Sequence, residues 1–246
     1  MLLRCFLIIL LIQSVNSSNL KFKIADSGEC KSIQVSPEKD KIAFTWWDKS
    51  HEVYDKLYVF HINDSVLTEM SKYSVSNYKW LSENILSYYI SPILWINERK
   101  TKLHPSEYGP FIFDFKQNQA IADPESEIKP IEDVEKEFVN AEIEKKIQSF
   151  IEANYKSHPG TLGGTVKYDV KKYLVSPDKN KILFLVIGDD GHAFFNPTLY
   201  LTDKNFTKIL PQNDSNKTTS LTFEWISDKK FIMFQNDFLQ IIDIEN

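Results

Sequence analysis

Apolar and polar residues alternate along this chain in short runs, and the runs recur in a fixed order. From Tyr173 to Thr202 the sequence YLVSPDKNKILFLVIGDDGHAFFNPTLYLT reads as strand, Ser-Pro-Asp turn, strand, loop and strand. Residues 33–62, IQVSPEKDKIAFTWWDKSHEVYDKLYVFHI, repeat it almost position for position. Shorter echoes lie at 78–90, YKWLSENILSYYI, and at 223–235, FEWISDKKFIMFQ, where Trp80 and Trp225 stand two residues before Ser82 and Ser227. In the turns, proline supplies the fixed φ of the second position and Ser or Asp bonds the local backbone. A recurring strand module buries its apolar side chains when neighbouring modules stack, so the pattern predicts a repeat architecture.

Taken in order, the repeats fall at about 31–71, 74–123, 166–210 and 219–246. Ahead of them, Leu20, Phe22 and Ile24 alternate with Lys21 and Lys23, the period of a half-exposed strand. The last repeat is one strand short. In closed toroidal sheets a terminal strand commonly completes the module begun at the other end of the chain, which predicts that 20–25 pairs beside 238–244. In the second repeat, ILSYYI, PILWIN and FIFDFKQ are the expected strands, with a long polar loop from Glu98 to Pro110.

Residues 124–156 break the pattern. Ile143, Ile147, Phe150 and Ile151 recur at helical spacing, acidic residues crowd the start of the stretch, and Glu142 stands four residues before Lys146. This predicts an inserted helical segment laid over a sheet by its apolar stripe. The glycine-rich SHPGTLGG at 157–164 reads as a flexible joint, since it lacks the ending and the preceding strand of a phosphate loop.

Composition agrees with strands: 13% of residues are aromatic, and only 7 are glycine. A net charge of −5, without a basic run interleaved with aromatics, argues against nucleic acid as a partner. Residues 1–17 place Arg4 before the apolar run Cys5 to Ile12 and end in small residues, which reads as a secretory signal peptide cleaved after Ser17. The run is too short for a bilayer span, which needs roughly 20 apolar residues. The expected location is therefore secreted or periplasmic. Cys30 is then the one cysteine of the mature chain, which excludes a disulfide framework.

The unit SPEKDKIAF with KLYVF, SPDKNKILF with TLYLT, and the elements YKWLS and FEWIS resemble blades of TolB-type and dipeptidyl peptidase IV N-terminal β-propellers. The resemblance covers about two-thirds of the mature chain. It implies a mainly β fold of repeated four-stranded antiparallel units in propeller-like arrangement, with the helical segment inserted. Those families have six to eight blades and four units are counted here, which leaves open a small closed ring, an open stack, or part of a larger ring. The peptidase's G-x-S-x-G nucleophile elbow has no match, so its activity is not implied.

Candidate chemistry is sparse. No histidine pair has zinc-site spacing, and Asp189, Asp190 and His192 of GDDGH serve a turn between strands as readily as a cation; no metal and no cofactor is expected. Glu38 and Asp178 are structural by their place in the repeated turn. Trp46 and Trp47 are adjacent on one strand, so alternation puts one ring on each face, and an exposed ring could stack on a sugar or peptide. Asn63, Asn205, Asn213 and Asn216 open N-x-S/T sequons and are candidate glycosylation sites. The reading is a secreted, non-catalytic propeller-like protein that binds a protein or glycan partner or serves as a scaffold. The alternatives are a relative of a dipeptidyl-peptidase-like propeller and a hydrolase with its site across blades.

Overall fold

The structure, a computed structural model, describes residues 20–24, 28–47, 55–96, 99–104, 107–123, 140–160, 164–214 and 218–244. The strands are β1 (Leu20–Lys23), β2 (Glu29–Val35), β3 (Lys41–Trp47), β4 (Lys56–His61), β5 (Val66–Glu69), β6 (Val75–Ser82), β7 (Ile85–Ile90), β8 (Ile93–Ile96), β9 (Arg99–Lys102), β10 (Gly109–Asp114) and β11 (Gln119–Ala122). Helix α1 (Ala141–Asn154) follows, then β12 (His158–Pro159), β13 (Thr165–Val175), β14 (Lys181–Asp189), β15 (Phe194–Asp203), β16 (Ile209–Pro211), β17 (Leu221–Ser227), β18 (Lys230–Gln235) and β19 (Phe238–Asp243).

These strands form four antiparallel sheets, one for each repeat: sheet I (β2-β3-β4-β5), sheet II (β6-β7-β10-β11), sheet III (β12-β13-β14-β15-β16) and sheet IV (β17-β18-β19-β1). The fold is mainly β and propeller-like. The terminal strand closes sheet IV as its pattern predicts, with Leu20 opposite Ile241 and Phe22 opposite Leu239. In sheet II the structure departs from expectation. PILWIN does not join the sheet; β8 pairs with β9 in a separate hairpin, and β10 takes the edge of β7, with Gly109 opposite Ile90 and Asp114 opposite Ile85. Since β6 already holds the other edge of β7, residues 93–102 have no place in that sheet. The joint at 157–164 is also partly ordered by pairing, His158 lying opposite Val166.

Alternation explains the stacking. On β3, Ile42, Phe44 and Trp46 enter a core with Phe234 and Ile232 of β18, while Ala43 enters a second core with Tyr78, Trp80 and Leu86 of sheet II. On β18, Phe231 and Met233 turn to the other side and meet Leu183 and Leu185 of β14. The remaining face of β14, Ile182, Phe184 and Val186, packs against Ile147 and Ile151 of α1. Strands buried on both faces need near-continuous apolar runs, which is what KIAFTWW, KFIMFQ and KILFLV are. The order of packing is therefore II–I–IV–III–α1. Among the described residues, no apolar cluster joins sheet II to sheet III, which is consistent with an incomplete ring.

Helix α1 is the described part of the predicted insertion; residues 124–139 lie outside the described residues. Asn140 caps it, its side chain accepting from the Glu142 and Ile143 amides, and the expected Glu142–Lys146 ion pair forms at 2.9 Å. Acidic residues in the first turn complement the dipole, but the last turn holds no basic residue.

The chain also repeats at a larger scale. Sheets I and II (β2 to β11) and sheets III and IV (β13 to β19, with β1) make the same bonds at matching positions. The hydroxyls of Ser36 and Ser176 accept from the amides of Lys41 and Lys181, at 3.0 and 2.9 Å. Lys39 and Lys179 both adopt positive φ, 62° and 61°. The ammonium of Lys41 donates to the Glu83 carbonyl and that of Lys181 to the Asp228 carbonyl, each reaching the turn of the next sheet. The indoles of Trp80 and Trp225 donate to the carbonyls of Gln34 and Leu174, each two residues before the repeat's serine. Strand bulges fall at Cys30/Ser32 and Val170/Lys172, and again at Trp80/Ser82 and Trp225/Ser227. The molecule is thus two copies of a two-sheet module, I with II and III with IV.

Candidate functional site

Strands β2, β6 and β17 are each the edge strand of their own sheet. An edge strand leaves backbone donors and acceptors without ladder partners, so segments that converge edge-first make a polar main-chain lining. Here they bound an open cleft of about 450 Å³, lined by Ile33, Gln34 and Val35 of β2, Pro37 of the following turn, Lys79 and Trp80 of β6, and Glu224 and Trp225 of β17. Some of the lining is fixed: Gln34 Nε2 donates to the Tyr78 carbonyl at 2.8 Å, which ties β2 to β6, and the Thr222 hydroxyl donates to the Cys30 carbonyl at 3.1 Å, which ties β17 to β2. Trp80 and Trp225, both buried, are among the residues that line the cleft.

The charges in the cleft differ in kind. Glu224 accepts from the Trp225 amide at 3.0 Å and faces the Lys172 ammonium at 4.0 Å. Lys79 is exposed and has no ion-pair partner among the described residues. A second hollow, of about 850 Å³, lies between the first turn of α1 and the β13 end, lined by Ile143, Tyr173, Val175 and Pro177 among others. It borders Asn140, where the described residues resume.

The residues singled out in the sequence are scattered. Trp46 is 1% exposed, in the core between sheets I and IV, so its ring is unavailable for stacking on a ligand; a Cβ on Gly28 would stand 2.5 Å from its Nε1. Trp47 is half-buried on the opposite face, with the Lys31 ammonium 5.1 Å from its ring centre. Neither lines the cleft. Cys30 is buried, its thiol donating to the Ser32 carbonyl, and burial pushes its pKa well up, away from thiolate chemistry.

Asn63 and Asn205 are exposed in turns. Asn213 is engaged: its Oδ1 accepts from the Leu199 amide at 2.7 Å, and its Nδ2, the atom a glycan would occupy, donates to the Pro197 carbonyl and the Thr218 hydroxyl, both at 2.9 Å. Asn216 lies outside the described residues. In GDDGH, the Gly191 amide bonds to Asp189 Oδ1, and the His192 and Ala193 amides to Asp190 Oδ1, so both carboxylates close the turn. Among the described residues no group of three His, Cys, Asp or Glu could hold a metal ion, and no helix is long and apolar enough to cross a membrane.

Asp178 accepts from the Ser176 hydroxyl and from the side chain and backbone amide of Asn180, which hold its carboxyl down at about 2. In the first module that role falls to Asp40, not Glu38. Burial opposes ionisation of Asp40, but hydrogen bonds from Lys41 and Ser36 outweigh it and lower its pKa.

The sequence marks Trp80 and Trp225 as repeated framework and misses Gln34, Lys79 and Glu224 altogether. The signal that finds them is disagreement between the copies. Gln34 matches Leu174, and Lys79 matches Glu224, whereas the bonded framework positions around them are identical.

No family model matches the chain, and no curated protein matches it. Among solved structures it is similar to a crystal structure described as that of the eukaryotic initiation factor, at 10% identity over 86% of this chain and 50% of that one, with a TM-score of 0.26. It is also similar to the isopeptidase AtxE2 in its apo form, at 14% identity over 90% of this chain and 40% of that one, with a TM-score of 0.28. The chain spans about half the length of the first and less of the second. Neither overlap carries any part of the functional argument.

Proposed function

We propose that this chain is an exported, non-catalytic binding protein that receives an extended segment of a protein partner in the cleft bounded by β2, β6 and β17. One observation carries the reading: three edge strands meet at a single open cleft whose lining includes Trp80 and Trp225. Unladdered backbone groups suit the main chain of a peptide, and flat aromatic surface suits its side chains. The blade resemblance to TolB-type and dipeptidyl peptidase IV propellers fits a binding role of this kind. Export rests on the leader at 1–17, which lies outside the described residues, and sequencing the N-terminus of protein recovered from its source is expected to begin at Ser18.

The binding itself is tested by titrating the purified protein with pooled N-acetylated tetrapeptides while following indole fluorescence. A saturable change that is lost in the Trp80→Phe, Trp225→Phe double variant supports the reading. A flat titration with peptides, or a response to soluble oligosaccharides only, overturns it.

A further inference from the structure

The internal duplication supplies a comparison that decides which cleft residues the fold requires. At framework positions the two modules agree in residue and in bond: Ser36 with Ser176, Lys41 with Lys181, Trp80 with Trp225. Immediately beside each tryptophan they do not. Lys79 precedes Trp80 and Glu224 precedes Trp225, so the same backbone position carries opposite charges in two modules that fold alike. The fold therefore does not specify the charge at this position.

Electrostatics separates the two residues further. The Glu224 carboxylate is matched within the protein by Lys172 and by the Trp225 amide. The Lys79 ammonium is ion-paired with no described residue, and Lys79 lines the cleft one residue before Trp80. The unbalanced charge of the cleft is one positive charge, set among the apolar and aromatic surfaces of Ile33, Val35 and Trp225.

We infer that Lys79 is the anchor for a carboxylate of the bound peptide, the chain terminus of the partner or an acidic side chain, with its apolar neighbours lying against the two tryptophans. A single carboxylate fits better than a polyanion, because the cleft offers one free ammonium and the chain as a whole carries a net charge of −5. An exposed lysine also makes such a contact without first giving up an internal bond.

This inference rests on the peptide-binding reading above, and its test separates the two. Two pooled libraries of N-acetylated tetrapeptides lacking Asp and Glu are titrated in parallel, one ending in a free carboxylate and the other in a carboxamide. Wild-type protein is expected to bind the acid library about tenfold more tightly, a difference of about 1.4 kcal/mol. Lys79→Met is expected to erase that preference, bringing the acid and amide affinities together, and Lys79→Arg to keep it. A further library carrying one internal Asp and a C-terminal carboxamide tells terminal from side-chain recognition, and a preference for either supports the anchor. Equal binding of acid and amide libraries by wild-type protein, with no preference for the internal Asp, overturns the inference and leaves peptide binding standing. Binding of no library removes both.

Discussion

The two modules of this chain are built alike and placed differently. In each, a Ser-Pro hairpin of one sheet is fastened to the Trp-x-Ser strand of the next by a lysine and an indole. Yet sheet I is covered on both faces by sheets, whereas sheet III has a sheet on one face and helix α1 on the other. Among the described residues the second module packs on the first through sheets IV and I, and β1, ahead of the first module in the chain, finishes sheet IV. The difference teaches that the bonds within a module make the blade pair whatever covers its outer face, a sheet in one copy and helix α1 in the other.

If the fastening is equivalent, its removal must cost the same in both copies. Trp80→Ala and Trp225→Ala each empty a buried aromatic site and are expected to lose about 3–5 kcal/mol of stability, equal to within about 1 kcal/mol. Urea unfolding of the two variants measures it, and a large inequality would break the equivalence.

The lysines sharpen the comparison because their surroundings differ. The Lys41 side chain is 9% exposed and ion-paired with Asp40, while Lys181 is less buried. Lys41→Met is expected to cost about 1–3 kcal/mol, since it strands the Glu83 carbonyl and the Asp40 carboxylate, and Lys181→Met less, by the same unfolding measurement.

A third matched pair lies at the outer edge. Ser71 and Asn213 each accept from the amide of the leucine that opens the Leu-Tyr pair of their sheet, Leu57 or Leu199. Asn213→Ala removes that bond and two others, and is expected to cost about 1–3 kcal/mol. Asn63→Gln and Asn205→Gln, on exposed turns, are expected to change stability by less than about 0.5 kcal/mol. Thermal unfolding separates the two groups.

The smallest effect concerns pH. Asp178 ionises at about 2 in the folded chain, below the 3.8 of an ordinary aspartate, so its contribution is present above about pH 4 and lost as pH falls through the folded value. Asp178→Asn is expected to flatten the acid limb of the stability profile between those values. Asp40 is lowered too, so the equivalent Asp40→Asn variant is expected to act in the same direction.

Much of the fold was legible because it is written in local pattern. The repeats, the helix stripe at Ile147 and Ile151, and the closing strand from Leu20 all follow from periodicity and from counting strands. The β8–β9 hairpin was not legible, because PILWIN has the composition of a strand and nothing local says which edge is already taken. The site was less legible still. The cleft joins residues 33–37, 79–80 and 224–225, which approach only after three sheets have stacked, and the aromatic pair that stands out in the sequence, Trp46-Trp47, spends one ring on the core.

The pairing of β1 with β19 sets an order of events. Strand β1 precedes the other described strands and its partner β19 follows them, so sheet IV stays unfinished until β19 has been made. Contacts so distant in sequence form slowly, and until they form, the backbone edge of β19 beside Leu239 and Ile241 stands open to another chain's strand.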